Sequence, residues 1–171
     1  MPVKKSLKVG DKIVEIGYVY WIFKIETNKD ENGDKVRKIF FKPYYKNRNN
    51  KTLISSIPAK NIKKANIRRP LKEAKLRKLL AEYPKKKESF EPLNLVKARE
   101  SLKLNSPKET MKVLKRIWIE KKERGDQLTK SKKDVYELAL NRLQEEIAYV
   151  DKIPLKKARE KINNSLKKTP I

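Results

Sequence analysis

The chain has 171 residues, a formal net charge of +25 at pH 7 and no cysteine or histidine. The absence of cysteine excludes disulfides and thiolate metal sites, and the absence of histidine removes the commonest general base and metal ligand. A carboxylate site for magnesium stays open, but we expect neither an enzyme nor a bound cofactor. So large a charge imbalance is typical of a protein whose partner is a polyanion, with nucleic acid as the first candidate.

Hydropathy argues against a membrane partner. No apolar run approaches the roughly 20 residues that a spanning helix needs, and residues 1–10 lack the apolar core of a signal peptide. We therefore expect a cytoplasmic protein. A monomer is expected because high net charge opposes self-association.

Residues 7–58 are rich in the β-branched and aromatic residues that favour strands. Gly17 predicts a bend or bulge within a first long strand, and Asn32-Gly33 predicts a hairpin turn. A second strand is expected over Lys35–Tyr45 and a later one over Thr52–Ile57. The pattern favours a small, bent antiparallel sheet or partial β-barrel.

After Ala59 the apolar spacing changes to that of helices. Pro70 predicts a helix start and Pro84 its end, and a further helix is expected over Leu93–Leu104. The tail over residues 153–168 predicts a short basic helix, docked through Leu155, Ala158 and Ile162, whose end we expect to fray. The fold class is therefore α+β, with a sheet domain over residues 1–66 and a basic helical bundle over 67–171.

The clearest helical pattern runs from Met111 to Tyr149 and predicts a helical hairpin. Ser106 with Pro107 is typical of a helix start, Gly125 of a helix end, and Thr129 of the next helix start. Lys115 and Glu120 are expected on the polar side of the first of these helices, and Trp118 on its apolar side.

Two lysine clusters in the helical half are candidates for binding DNA phosphates. Because a helix start already favours anions, three lysines at the start of the second hairpin helix indicate phosphate. Contacts of this kind position a protein without reading bases, so binding is expected to be largely independent of sequence. The candidate residues are Lys85, Lys86, Lys87, Lys130, Lys132 and Lys133.

Three motifs in order resemble the CarD-like regulators of bacterial RNA polymerase, which share their N-terminal domain with the transcription–repair coupling factor. The first, LKVGDKIVEIGYVYWIFKIE, resembles the family's opening at Leu7, Lys8, Gly10, Asp11, Ile13, Val14, Gly17, Ile25 and Glu26. The second, IPAKNIKKANIRRPL, is similar at Ile57, Pro58, Asn61, Ile67 and Arg68. The third lies in the predicted hairpin and is similar at Val113, Leu114, Arg116, Ile117, Gly125, Leu128, Thr129 and Lys133.

The resemblance implies a Tudor-like β domain that binds the β-subunit lobe of RNA polymerase. It also implies a helical domain that contacts double-stranded promoter DNA at the upstream edge of the melted bubble. Such a nucleoid-associated regulator modulates open-complex stability and catalyses no reaction. The polymerase would pair with a sheet edge near Thr27, Asn28, Asp30, Ile54, Ser55 and Ser56.

This sequence departs from the family at one position. Relatives carry a tryptophan that wedges against DNA at the bubble edge, and that position falls at about Glu91 here. Phe90 is the nearest aromatic residue and is the candidate wedge, since Trp118 is expected in the core.

Two other functions fit the composition. One is an RNA- or ribosome-binding protein in which exposed aromatic side chains of the sheet stack on single-stranded bases, with Tyr18, Tyr20, Trp21, Tyr44 and Tyr45 as candidates. The other is a structural nucleoid protein that binds DNA without an effect on initiation.

Overall fold

The computed structural model describes residues 6–87 and 91–170, and its fold is α+β, as the sequence predicts. The contacts divide the chain into two units. The first contains residues up to Glu15 together with Val19–Pro70, and the second contains Ile16–Tyr18 together with the chain from Leu71 onward. The first unit holds the strands apart from the strand residue Tyr18, and the second holds the α-helices.

The described part of the first unit contains one four-stranded sheet. Its strands are β1 (Lys12–Glu15), β2 (Tyr18–Lys29), β3 (Lys35–Pro43) and β4 (Ser55–Pro58), arranged in sequence order. Neighbours are antiparallel, as the two-residue link between β1 and β2 also requires. One isolated bridge, Val14 with Arg68, returns the chain to β1, but β1 and β4 are the two ends of an open sheet.

The turn between β2 and β3 forms where Asn32-Gly33 predicts it. Gly33 has φ +81°, and the Asp30 carboxylate accepts hydrogen bonds from the amides of Asn32 and Asp34, both at 2.9 Å. The prediction for Gly17 is wrong in one respect, because Gly17 lies in the turn between two strands and not within one.

A β-bulge at Phe23 decides which side chains of β2 reach the core. The register with β3 shifts between Ile22 and Lys24. Since a bulge adds one residue to the strand, Ile22 and Ile25 both face the core although they are three apart. The buried core of this unit consists of Ile13, Ile22, Ile39, Phe41 and Ile67, and Ile25 packs against it.

The described part of the second unit contains five helices. They are α1 (Glu73–Glu82), α2 (Leu95–Lys103), α3 (Pro107–Glu123), α4 (Lys130–Asp151) and α5 (Leu155–Leu166). A 3₁₀ turn, Tyr83–Lys85, follows α1, and another, Ala59–Asn61, follows β4 in the first unit. Helices α3 and α4 form the predicted hairpin.

The ends of α3 and the start of α4 are as predicted. The Ser106 side chain accepts from the Glu109 amide and Pro107 is the first helical residue. At the other end Gly125 has φ +60°, its amide donates to the Lys122 carbonyl, and the Asp126 amide donates to the Lys121 carbonyl. This pair of bonds is the Schellman arrangement. The Thr129 side chain caps α4 by accepting from the Lys132 amide.

Three expectations for the helical half are wrong. Pro70 precedes α1 instead of starting it, since α1 begins at Glu73. Lys115 and Glu120 are buried, because α3 contacts other helices over more than its apolar side. The end of α5 does not fray within the described residues, since Leu166 and Thr169 are buried.

The turn Ile16–Tyr18 is held within the second unit by two residues. The Gly17 amide donates to Asn105 Oδ1 at 2.9 Å. Arg142 Nη1 donates to the carbonyls of Ile16 at 3.2 Å and Leu102 at 3.3 Å, and its guanidinium lies 5.9 Å from the Tyr18 ring centroid. Burial lowers the pKa of Arg142.

Candidate nucleic-acid interface

The first predicted lysine cluster lies on the exposed turn that follows α1. Lys85, Lys86 and Lys87 are all exposed, and Lys85 ends the 3₁₀ turn. The buried side chain of Lys115 holds the backbone of this turn. Its Nζ donates to the Lys86 carbonyl and, at 3.5 Å, to the Tyr83 carbonyl. A buried cation therefore positions this segment of three exposed cations.

Lys115 is itself only 2% exposed. Besides its two carbonyl partners, its Nζ lies 5.4 Å from the ring centroid of Tyr83. Removing an ammonium group from water is costly unless it is coordinated, and these contacts help to hold Lys115 inside the bundle. Lys115 is thus a structural residue and contributes no contact surface for DNA.

The second predicted cluster lies at the start of α4. Lys130 and Lys133 are exposed and form no ion pair in the described part of the chain. Lys132 differs, because it pairs with the buried carboxylate of Glu120, which Arg124 also contacts at 3.4 Å. Two of the three lysines therefore present an uncompensated positive charge to solvent.

The charges at the start of α4 oppose the helix dipole. No acidic residue lies in its first turn, where a carboxylate would be favourable. Lysines at this end cost stability, and a nearby anion would remove that cost.

The aromatic residues considered for the DNA wedge are Phe90, which is the candidate, and Trp118, which is expected in the core. Phe90 lies outside the described residues. Trp118 is 9% exposed, which confirms its predicted place in the core, and Lys122 Nζ lies 5.1 Å from its ring centroid. Glu91, at the family's wedge position, is exposed and its carboxylate lies 3.9 Å from Arg116.

A cleft of about 320 Å³ between α2 and α3 was not predicted. Lys112 and Arg116 line it from α3, and Lys97 lines it from the first turn of α2. Glu91 and Glu109 also line it, so its charge is mixed. The spacing of Lys112 and Arg116, four residues apart on one helix, is the sequence signal that could have indicated a basic strip here.

The predicted polymerase-binding residues do not share one sheet edge. Thr27 and Asn28 lie in β2 and pair with Arg37 and Val36 of β3. Ser55 and Ser56 lie in β4, on the other side of β3. The strand spacing therefore separates the two groups by at least about 10 Å, and the expected single edge is wrong.

The remaining two polymerase candidates lie outside the strands. Asp30 is in the turn after β2, where its carboxylate caps backbone amides. Ile54 immediately precedes β4 and is 62% exposed, and its neighbour Leu53 is 45% exposed. Large apolar side chains therefore lie exposed beside the end strand β4.

No group of acidic side chains in the described residues is arranged to hold a metal ion. Among the helices described, none combines the length and apolar character that crossing a bilayer requires.

Comparison of the chain with protein-family models and with curated proteins gave no match in either case.

Proposed function

We propose that this protein is a non-enzymatic transcription regulator of the CarD-like kind. Its sheet unit, taken as Tudor-like, binds the β-subunit lobe of bacterial RNA polymerase. Its helical unit binds duplex promoter DNA near the upstream edge of the melted region and modulates open-complex stability. The observation that carries the proposal is a charge of +25 on a chain whose helical unit exposes uncompensated lysines at a helix start.

Phosphate binding by the helical unit follows from the positions of its free cations. Lys130 and Lys133 lie in the first turn of α4, where the helix dipole also favours an anion. Lys85, Lys86 and Lys87 add a second group of exposed cations. Because these side chains can reach phosphates without contacting base edges, binding should depend steeply on salt and weakly on sequence.

Polymerase binding through the sheet unit is supported by the edge at β4. A terminal strand offers unpaired backbone groups to a partner strand. The exposed side chains of Leu53 and Ile54 next to it offer apolar area that a partner would bury. The edge beside Thr27 and Asn28 lacks such side chains, since both residues are polar.

The proposal is tested with purified bacterial RNA polymerase and the full-length chain. We expect the chain to be retained by immobilised polymerase, and the Ile54→Asp variant to lose retention while still binding duplex DNA. Val96→Asp is the matched control, because Val96 is also strongly exposed, at 68%, but lies on α2. If the chain is not retained, or if both variants behave alike, the polymerase role is wrong.

An assay of promoter melting distinguishes a regulator of initiation from a protein that only binds DNA. With a fluorescent base in the melted region, a regulator should change the lifetime of the open complex at concentrations where it occupies the DNA. Duplex binding with no change in that lifetime would contradict the proposal and leave a structural nucleoid protein.

A further inference from the structure

The sheet carries three aromatic rings on the face opposite its core. Trp21 pairs with Lys42 and Lys24 pairs with Phe40 across β2 and β3. The residues between them in sequence, Ile22 and Phe41, are buried in the core. The alternation of a strand therefore puts Trp21 and Phe40 on the outer face.

The β-bulge adds the third ring to this face. Phe23 is the extra residue of β2, and its ring centroid lies 6.5 Å from that of Phe40. Trp21, Phe23 and Phe40 are all half-buried. We call these three residues the aromatic platform.

Lysine side chains lie over the platform. Lys42 Nζ is 4.7 Å from the Trp21 ring centroid and 5.0 Å from that of Phe23. Lys24 Nζ and Lys38 Nζ are each 5.4 Å from the Phe40 ring centroid. Lys24 also pairs with Glu26, whereas Lys38 and Lys42 form no ion pair in the part of the chain that the structure describes.

A base that stacks on a ring should displace the lysine side chain that lies over it, because stacking is the stronger of the two contacts. A lysine over a partly exposed ring makes only a weak electrostatic contact with the ring face, and water can solvate the ammonium group instead. Stacking of a base covers the whole ring face with a planar apolar group, and every base can do this. A base that takes the ring face also brings a phosphate, and the displaced ammonium group can pair with it.

We propose that the aromatic platform binds single-stranded nucleic acid. Bases stack on Trp21, Phe23 and Phe40, and the phosphates pair with Lys24, Lys38 and Lys42. Stacking on rings and pairing with phosphates do not read base edges, so binding should have little sequence preference. The inference does not depend on duplex or polymerase binding, since it uses only residues of the sheet.

An acidic protein segment would match the lysines but not the rings. Carboxylates pair with ammonium groups and leave three half-buried rings without a planar partner. Single-stranded nucleic acid supplies both planar groups and regularly spaced charges. The platform shares only Trp21 with the aromatic set expected for RNA binding. Tyr20 of that set packs edge-on against the core residue Phe41, with ring centroids 5.3 Å apart.

The experiment measures binding of the full-length chain to labelled oligothymidylate and oligouridylate of about 12 nucleotides, within the range that such surfaces cover. The test variant is Trp21→Leu combined with Phe23→Leu, which keeps apolar side chains on the sheet. We expect its affinity to fall by about tenfold or more while its salt dependence stays the same. An affinity within about twofold of the parent, in a variant that melts like the parent, would overturn the proposal.

A second pair of variants tests the charges without touching the rings. Lys38→Ala with Lys42→Ala should lower the slope of log affinity against log salt by about 1.4 for single strands. Lys46→Ala with Lys51→Ala changes the net charge equally at exposed positions beyond β3 and should leave that slope near the parent value. Equal effects of the two pairs would mean non-specific attraction, and displacement of the oligonucleotide by polyglutamate at similar concentration would mean a protein-binding face. Either result would overturn the proposal.

Discussion

The amide of Gly17 donates a 2.9 Å hydrogen bond to the side chain of Asn105, 88 residues later in the chain. Asn105 is 5% exposed and has φ +55°, so it supplies this acceptor from a strained backbone position. On the other side of Gly17, a Cβ atom would lie 2.1 Å from the Arg142 carbonyl oxygen. Only glycine fits between these two groups.

Replacing Gly17 by Ala should therefore destabilise the protein strongly. The new methyl group meets backbone atoms that cannot move aside, and φ +81° adds strain. We expect a loss of about 2–4 kcal/mol in the free energy of unfolding, measured by urea denaturation. Gly33→Ala is the control, because Gly33 has the same φ but nothing within 4 Å of a Cβ atom. It should cost about 1–2 kcal/mol, and a similar loss in both variants would contradict the steric argument.

Replacing Lys115 by Ala should destabilise the helical unit. The change removes a buried ammonium group and leaves the carbonyls of Tyr83 and Lys86 without this donor. We expect a loss of about 2–4 kcal/mol in the free energy of unfolding. Lys108→Ala on the same helix is exposed and should change it by less than about 0.5 kcal/mol. Equal stability of both variants would show that Lys115 is not a structural cation.

The two free lysines of α4 should account for duplex binding better than the paired one. Lys130→Ala with Lys133→Ala is expected to lower the slope of log affinity against log salt by about 1.8 for duplex DNA. Lys132→Ala should leave the slope nearly unchanged and lower the melting temperature, because it breaks the pair with Glu120. Anisotropy titrations at several salt concentrations measure this. An unchanged slope in the double variant would remove the start of α4 from the DNA site.

Stability should fall at high pH through Tyr136. Burial, with the nearby charge of Glu137, raises the pKa of Tyr136 to about 12. Between pH 10 and 12 the unfolded chain loses this proton while the folded chain keeps it, so the free energy of unfolding decreases. Because the side chain is half-exposed, we expect a contribution of about 1–2 kcal/mol.

Tyr136→Phe isolates this effect from other groups that titrate at high pH. The variant loses the 3.3 Å hydrogen bond to Asn163 and should be slightly less stable at pH 8. Its stability should fall less steeply above pH 10. Parallel pH profiles for the parent and the variant would exclude Tyr136 as a source of the decline.

Features that depend on neighbouring residues could be predicted from the sequence. Ser106, Pro107, Gly125 and Thr129 end or begin helices through bonds that span a few residues, and each was placed correctly. The hairpin turn at Gly33 belongs to the same group. Local chemistry decides such positions, so no knowledge of tertiary packing is needed.

Features that depend on distant partners could not be predicted in this way. Lys115 is buried because a turn 29 residues earlier offers it the Lys86 carbonyl. Gly17 is required by Arg142, far along the chain, and its sequence neighbours suggest a bulge as readily as a turn. Apolar periodicity counts only hydrophobic residues, so it cannot predict that a lysine is buried.

The candidate site was predictable in composition but not in arrangement. The lysine clusters are evident in the sequence, yet the pairing of Lys132 with Glu120 is a tertiary contact. The bulge at Phe23 moves that ring to the same face as Trp21. Which aromatic side chains act together therefore depends on a one-residue irregularity that strand propensity does not encode.

The helical unit is discontinuous in sequence, since it includes Ile16–Tyr18. During synthesis these residues emerge early, whereas their partners Asn105 and Arg142 are made much later, 88 and 126 residues after them. Pairing over such separations closes late in folding. If the chain were divided near Pro70, the turn Ile16–Tyr18 would be separated from Asn105 and Arg142. Neither fragment would then contain a complete helical unit. The chain should be produced, and studied, as one piece.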